Sequence, residues 1–173
     1  MTVFIALLRA VNVGGTGKLP MAELKTICES AGFERVRTYI ASGNVVFESP
    51  RSEADVKSAM EASLAGRCGK PVGVFIRTAA EIAAILASNP FPKAPPNHIV
   101  AIFLDEVPSA DALESVHYQS DEELGIGRRG IFVYYPHGMG KSKLKIPAAR
   151  RGTARNMNTV AKLAQMAAEL VTR

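Results

Sequence analysis

The sequence predicts an α+β fold built from two ferredoxin-like halves with mainly antiparallel sheets, the second half decorated, and a C-terminal helix. Three observations lead there. Over residues 1–77 the apolar spacing runs strand, helix, strand, strand, helix, strand, which is the order of the split β-α-β unit. The pattern partly recurs over residues 98–173, after a linking helix and a proline-rich connector at 78–97. A length of 173 residues with 47% apolar and 21% charged side chains is enough for two small cores and excludes wholesale disorder.

Each element has its own local reason. Val3–Leu8 is a nearly continuous apolar run, as in a strand buried on both faces. Pro20 opens a helix in which Leu24, Ile27, Cys28 and Ala31 recur at helical spacing, and Gly32 ends it. Val36, Thr38 and Ile40 alternate with Arg37 and Tyr39. Ser42-Gly43 then turns the chain into Asn44–Glu48, giving two strands joined by a tight turn. Val56, Met60 and Leu64 mark a second helix between Ser52 and Ala65, and Val72–Ile76 a fourth strand. Glu81–Ala87 reads as the linking helix, and Pro90, Pro92, Pro95 and Pro96 as the connector.

In the second half, Ile99–Leu104 and Ile131–Tyr135 read as strands, with a shorter one near Leu124–Ile126, and Ala110–Val116 as a helix. The tail from Thr153 to Thr172 reads as one long helix. Its apolar stripe is Met157, Val160, Ala161, Ala164, Ala167, Ala168 and Val171.

Charge is unevenly spread. Residues 94–127 carry Asp105, Glu106, Asp111, Glu114, Asp121, Glu122 and Glu123 and no lysine or arginine. Residues 128–155 carry Arg128, Arg129, Lys141, Lys143, Lys145, Arg150, Arg151 and Arg155 and no acid. Such segregation suits a polyanionic ligand on the basic block, pairing with another chain, or pairing of the two blocks within the fold. No apolar run reaches the ~18 residues of a membrane span, and Val3–Leu8 lacks the flanks of a signal peptide. Cys28 and Cys68 are too few for a disulfide framework or a four-ligand zinc site. The expectation is a cytoplasmic protein with no membrane contact, no metal and no cofactor.

Two constellations carry chemistry. The first is the strand-to-helix loop Arg9–Lys18, whose glycines can turn backbone N–H groups toward an anion. It is not a Walker A loop, because Asn12 and Leu19 stand where that motif needs glycine and Ser or Thr. In a split β-α-β unit the end of the first strand shares a sheet edge with the turn between the second and third. Arg9, Asn12, Gly14 and Gly15 are therefore expected beside Ser42, Gly43 and Asn44. The second constellation is Lys141, Ser142 and Lys143 together with Thr153, Arg155, Asn156, Asn158 and Thr159. Thr153 can cap the last helix, which puts Arg155 in its first turn, where a bound anion suits it better than the macrodipole does. The alternative is that these residues only cap and pair.

Leu7–Gly15, Lys18–Leu24, Arg37–Phe47, Gly140–Leu144 and Thr153–Leu163 together resemble the bacterial family called domain of unknown function 1697. The resemblance implies a cytosolic α+β protein of ferredoxin-like units and implies no activity. This chain departs from the family at Ala10, where glycine is usual, and at Met157, where tryptophan is usual. The second change removes a ring that could stack on a base.

The leading functional expectation is binding of a phosphate-bearing ligand, a nucleotide or nucleic acid, at the basic Gly/Asn/Ser-rich residues named above. A sheet that reads RNA is disfavoured, since 6% of residues are aromatic, none is tryptophan, and Asn44–Glu48 lacks the paired aromatics such a strand needs. An enzyme acting on a phosphorylated small molecule is the rival class. His98, His117 and His137 have no metal-ligand spacing, Cys28 belongs to an apolar stripe, and Ser42 and Ser142 have no defined oxyanion hole. A third class is an interaction module or homodimer that pairs the acidic and basic blocks.

Overall fold

In the computed structural model residues 1–13 and 18–172 are described. β1 (Thr2–Leu8) is buried from Val3 to Leu8, so both its faces and both its edges are covered. It pairs antiparallel with β3 (Asn44–Ser49) on one side and β4 (Val74–Thr78) on the other. β2 (Glu34–Tyr39) adds to the free edge of β3, and the order is β2-β3-β1-β4. α1 (Met21–Ser30) and α2 (Glu53–Cys68) cover one face of this sheet. Leu24 and Cys28 from α1, and Val56, Met60 and Leu64 from α2, pack against Phe4, Ala6, Leu8, Val45 and Phe47. Phe33 stacks on Phe47 at 4.4 Å between ring centroids. Burial pushes the Cys28 thiol up to about 12, with the Glu29 carboxylate adding to the effect.

The helix ends follow from sequence. Ser52 Oγ accepts from Asp55 N, Glu53 and Asp55 occupy the first turn of α2 and Arg67 its last. Gly69, at φ 71°, closes it with its N–H on Ala65 O.

The second sheet repeats the first. β5 (Ile99–Phe103) is central, β7 (Gly130–Tyr134) and β8 (Thr153–Asn156) flank it, and β6 (Glu123–Gly127) lies outside β7. The order β6-β7-β5-β8 is that of the first sheet with each strand replaced by its counterpart. Its connections differ. Residues 104–122 form turns where the first half has α1, and a 3-10 turn at Pro147–Ala149 lies where it has α2.

Two expectations are corrected here. Ala110–Val116 is not a helix: Ala112 N bonds Ser109 O, Glu114 N bonds Asp111 O, and these i to i+3 turns do not propagate over so short a segment. Nor does the tail begin as a helix at Thr153. Thr153–Asn156 is an edge strand, and α4 spans Met157–Val171. Its buried side is Met157, Val160, Leu163, Met166, Ala167 and Leu170, while Ala161, Ala168 and Val171 are exposed. Alanines satisfy several phases of an apolar stripe, and the large side chains decide which one is buried.

The two halves also use the same kind of strand-to-helix joint. β4 leads into α3 (Ala79–Ala87) through Arg77 and Thr78, and β8 into α4 through Arg155 and Asn156. Thr78 and Glu81 form a reciprocal capping box, at 3.2 and 3.0 Å. Asn156 Oδ1 accepts from Thr159 N at 3.0 Å. Each arginine is buried and donates Nη1 to the carbonyl just before it, Ile76 O at 2.9 Å and Ala154 O at 3.0 Å. By contacts the chain divides into two units, Met1–Ala83 with Leu163–Arg173, and Ala84–Lys162. Within the first, Arg35 Nη2 donates to Leu170 O at 2.8 Å and Arg37 pairs with Glu169 at 2.7 Å. No helix among the described residues is long and apolar enough to cross a membrane.

Candidate functional site

In the first unit the topology brings the expected residues to one sheet edge. Leu8 N donates to Gly43 O at 2.9 Å, and Arg9 N to Gly73 O at 2.9 Å. Asn12 Nδ2 donates to Leu19 O at 2.9 Å and Ala41 O at 2.8 Å, while its Oδ1 accepts from Leu19 N at 2.6 Å. Asn44 is fully buried and donates to Tyr39 O and Ser42 Oγ. Asn12 thus ties the loop to the turn, and Asn44 braces the turn from within. Gly43 sits at φ 90°, where a Cβ would lie 2.7 Å from Val11 Cγ2 and 2.9 Å from Leu8 Cβ. Ala10, Asn12 and Ile40 also hold positive φ, at 58°, 56° and 50°. Asparagine takes this left-handed conformation readily, whereas Ala10 and Ile40 hold it at a backbone cost. The Arg9 side chain is exposed. Gly14 and Gly15 lie outside the described residues.

A small cavity of about 150 Å³ adjoins this edge, lined by Asn12, Lys18, Arg67, Cys68 and Lys70 among others. Arg67 donates through both Nε and Nη2 to the Glu23 carboxylate, and this bond holds Glu23 below the usual carboxylate range.

The second unit holds a larger cavity of about 310 Å³. Lys141, Ser142 and Lys143 line it, as do Tyr118, Ser120, Asp121, Glu122, Tyr135 and His137. Period-two spacing sets the lysines outward: Lys141, Lys143 and Lys145 are exposed, while Leu144 and Ile146 pack on the core of the second sheet.

The cavity walls are loops, yet they are tied at several points. His117 and Lys145 exchange a pair of backbone bonds at 2.9 Å. Glu122, 5% exposed, accepts from Ser142 Oγ through one oxygen and from Ser120 N at 2.7 Å through the other. Gln119 Nε2 donates to Glu122 O at 2.7 Å. The His137 imidazole Nδ1 pairs with the Asp121 carboxylate.

The Ser142 hydroxyl, followed by the Ser120 N–H, holds the Glu122 carboxyl below its ordinary range. A carboxylate stabilised in that way is a poor base. The Ser142–Glu122 bond therefore positions the Lys-Ser-Lys loop and does not activate the hydroxyl as a nucleophile. Burial, then the Glu122 charge, raises the Tyr135 phenol, which stays a hydrogen-bond donor through neutral pH.

The other expected residues of this constellation do not line the cavity. Thr153 and Arg155 are buried strand residues of β8, with Arg155 Nη1 on Thr153 Oγ1 at 2.7 Å, and burial pulls the Arg155 guanidinium down to about 10. Asn156, not Thr153, caps α4. Thr159 receives that cap through its N–H, and Asn158 is exposed in the first turn.

Glu122, Tyr118 and Tyr135 are cavity residues that sequence reasoning did not single out. Glu122 lies in a run of three acids, Asp121-Glu122-Glu123, and only the tertiary bonds to Ser120 and Ser142 distinguish it from its neighbours. Among the described residues no group of three or more His, Cys, Asp or Glu is placed to hold a metal ion.

Comparison with known proteins agrees with this architecture. No curated protein matches the chain. A solved structure, that of the conserved bacterial protein SP0830 from Streptococcus pneumoniae, is similar over 96% of this chain and 98% of its own, with 29% identity and a TM-score of 0.79. The family described as protein of unknown function DUF1697 matches residues 1–132, which take in the whole first sheet and much of the second. The chain belongs to the DUF1697 family.

Proposed function

We propose that the protein binds a phosphate-bearing ligand in the cavity of its second unit. The observation that carries this is the pair of exposed lysines, Lys141 and Lys143, on either side of the anchored Ser142, in a cavity whose loops are already cross-tied. Two ammonium groups two residues apart, with the Tyr135 hydroxyl, suit the charge and acceptor oxygens of a phosphate, while Ser142 donates its one proton to Glu122 and holds the loop. Preformed loops reduce the ordering cost of binding. The buried Arg155, engaged within β8, is left out of this site. We also place the protein in the cytoplasm, where the free thiols of Cys28 and Cys68 would stay reduced.

The test is a thermal-shift screen with inorganic phosphate, sugar phosphates, nucleotides and short oligonucleotides. A ligand at about 100 times its Kd stabilises the fold by about 2.7 kcal/mol. We expect a phosphorylated compound to raise Tm, and the double variant Lys141→Ala/Lys143→Ala, altered only at exposed positions, to keep its own Tm and lose the shift. A shift that survives in the double variant, or no shift with any phosphorylated compound, overturns the proposal.

A further inference from the structure

The same cavity presents an aromatic ring that the phosphate reading does not use. Tyr118 is 70% exposed and sits at φ 59°, a conformation rare for a bulky residue. The residue before it is fixed, since His117 is bonded through both its N–H and its C=O to Lys145. The ring also lies 6.2 Å from the His117 ring. Strain combined with exposure means that neither burial nor backbone preference accounts for the placement of this ring on the cavity lining.

The charges around it limit what can occupy the cavity. Lys141 and Lys143 are matched in number by Glu122 and Asp121, so the lysines and carboxylates of the lining leave no net excess of positive charge. A polyanion such as an oligonucleotide gains little there, because its affinity rises with the number of phosphates that cations neutralise. A compact ligand with one phosphate and a neutral ring bearing N–H donors fits all the parts. The lysines take the phosphate, the exposed Asp121 carboxylate accepts from the ring's N–H groups, and the tyrosine stacks on its face. A volume of about 310 Å³ is at the small end for ligand sites.

We infer that the ligand is a free nucleoside monophosphate whose base stacks on Tyr118. This rests on the phosphate-binding reading of the cavity, and the experiment separates the two. The chain has no tryptophan, so Tyr118→Trp supplies a single indole reporter at the stacking position. Titrations by calorimetry and fluorescence would use adenosine, guanosine, cytidine and uridine monophosphates, ribose 5-phosphate, inorganic phosphate and a ten-nucleotide single strand.

At least one monophosphate should bind about tenfold or more tighter than ribose 5-phosphate, in line with ~1–3 kcal/mol per stacked base. It should quench the emission of the introduced indole. Tyr118→Ala should bring the ratio close to one without changing affinity for ribose 5-phosphate, and Tyr118→Phe should keep it. Equal affinity for nucleotides and ribose 5-phosphate overturns the stacking inference and leaves phosphate binding standing. Tighter binding of the oligonucleotide than of any monophosphate also overturns it. Failure of every phosphorylated probe removes both readings.

Discussion

Gly43→Ala tests how the first sheet edge is built. The residue holds φ 90°, in the left-handed region that costs an L side chain ~1–2 kcal/mol. The new methyl would also stand 2.7 Å from Val11 Cγ2 and 2.9 Å from Leu8 Cβ, both on buried residues. Overpacking of that kind adds ~1–3 kcal/mol. A total loss of about 2–5 kcal/mol is expected. Gly69→Ala is the control, since Gly69 has φ 71° but nothing within 4 Å of its added Cβ. It should lose only the backbone part, ~1–2 kcal/mol. Urea unfolding of both variants, with free energies taken at matched slopes, measures the difference directly. A Gly43→Ala loss no larger than that of Gly69→Ala would show that the contact with Val11 and Leu8 does not constrain the turn, and the close-approach argument would be wrong.

Two further outcomes follow from strain and from titration. Ala10→Gly relieves φ 58° at a solvent-exposed position and should stabilise by about 0.5–1 kcal/mol, read as a Tm rise of a few degrees; a lower Tm would mean that the left-handed conformation carries no cost there. Glu122 has a folded pKa below its unfolded value of 4.5, so its contribution to stability is complete above that pH and is lost as pH falls through the folded value. Glu122→Gln should therefore be less stable at pH 7 and should show a flatter acid limb in urea midpoints measured from pH 7 down to about 3. Parallel acid limbs in the two proteins would contradict the assigned cause.

Legibility differed between the halves for physical reasons. In the first, Val3–Leu8 is apolar enough to name itself a central strand, and the edge shared by Asn12 and Gly43 follows from the order of elements alone. At Ala10 the backbone holds φ 58°, the conformation glycine accepts freely. In the second half the sheet is the same but its connections are turns, which carry no periodicity to read. Thr153–Asn156 is four residues long, has one β-branched member and runs into an alanine-rich helix, so only pairing with β5 makes it a strand. The cavity was half legible. Lys141, Ser142 and Lys143 stood out as basic and polar, whereas Glu122 and Tyr118 gain their meaning from bonds to residues elsewhere in the chain.

The bonds from Arg35 and Arg37 to Leu170 and Glu169 span 135 and 132 residues of chain. Ala84–Lys162, the whole second unit, lies within that span. A ribosome therefore delivers the second unit as one uninterrupted stretch, while the first must wait, one piece short, until that stretch has been made. Closing so long a loop is slow even where its entropy grows only logarithmically with length. Released chains truncated near residue 162 should thus hold a finished second sheet and a first sheet that lacks the Leu170 and Glu169 bonds to Arg35 and Arg37.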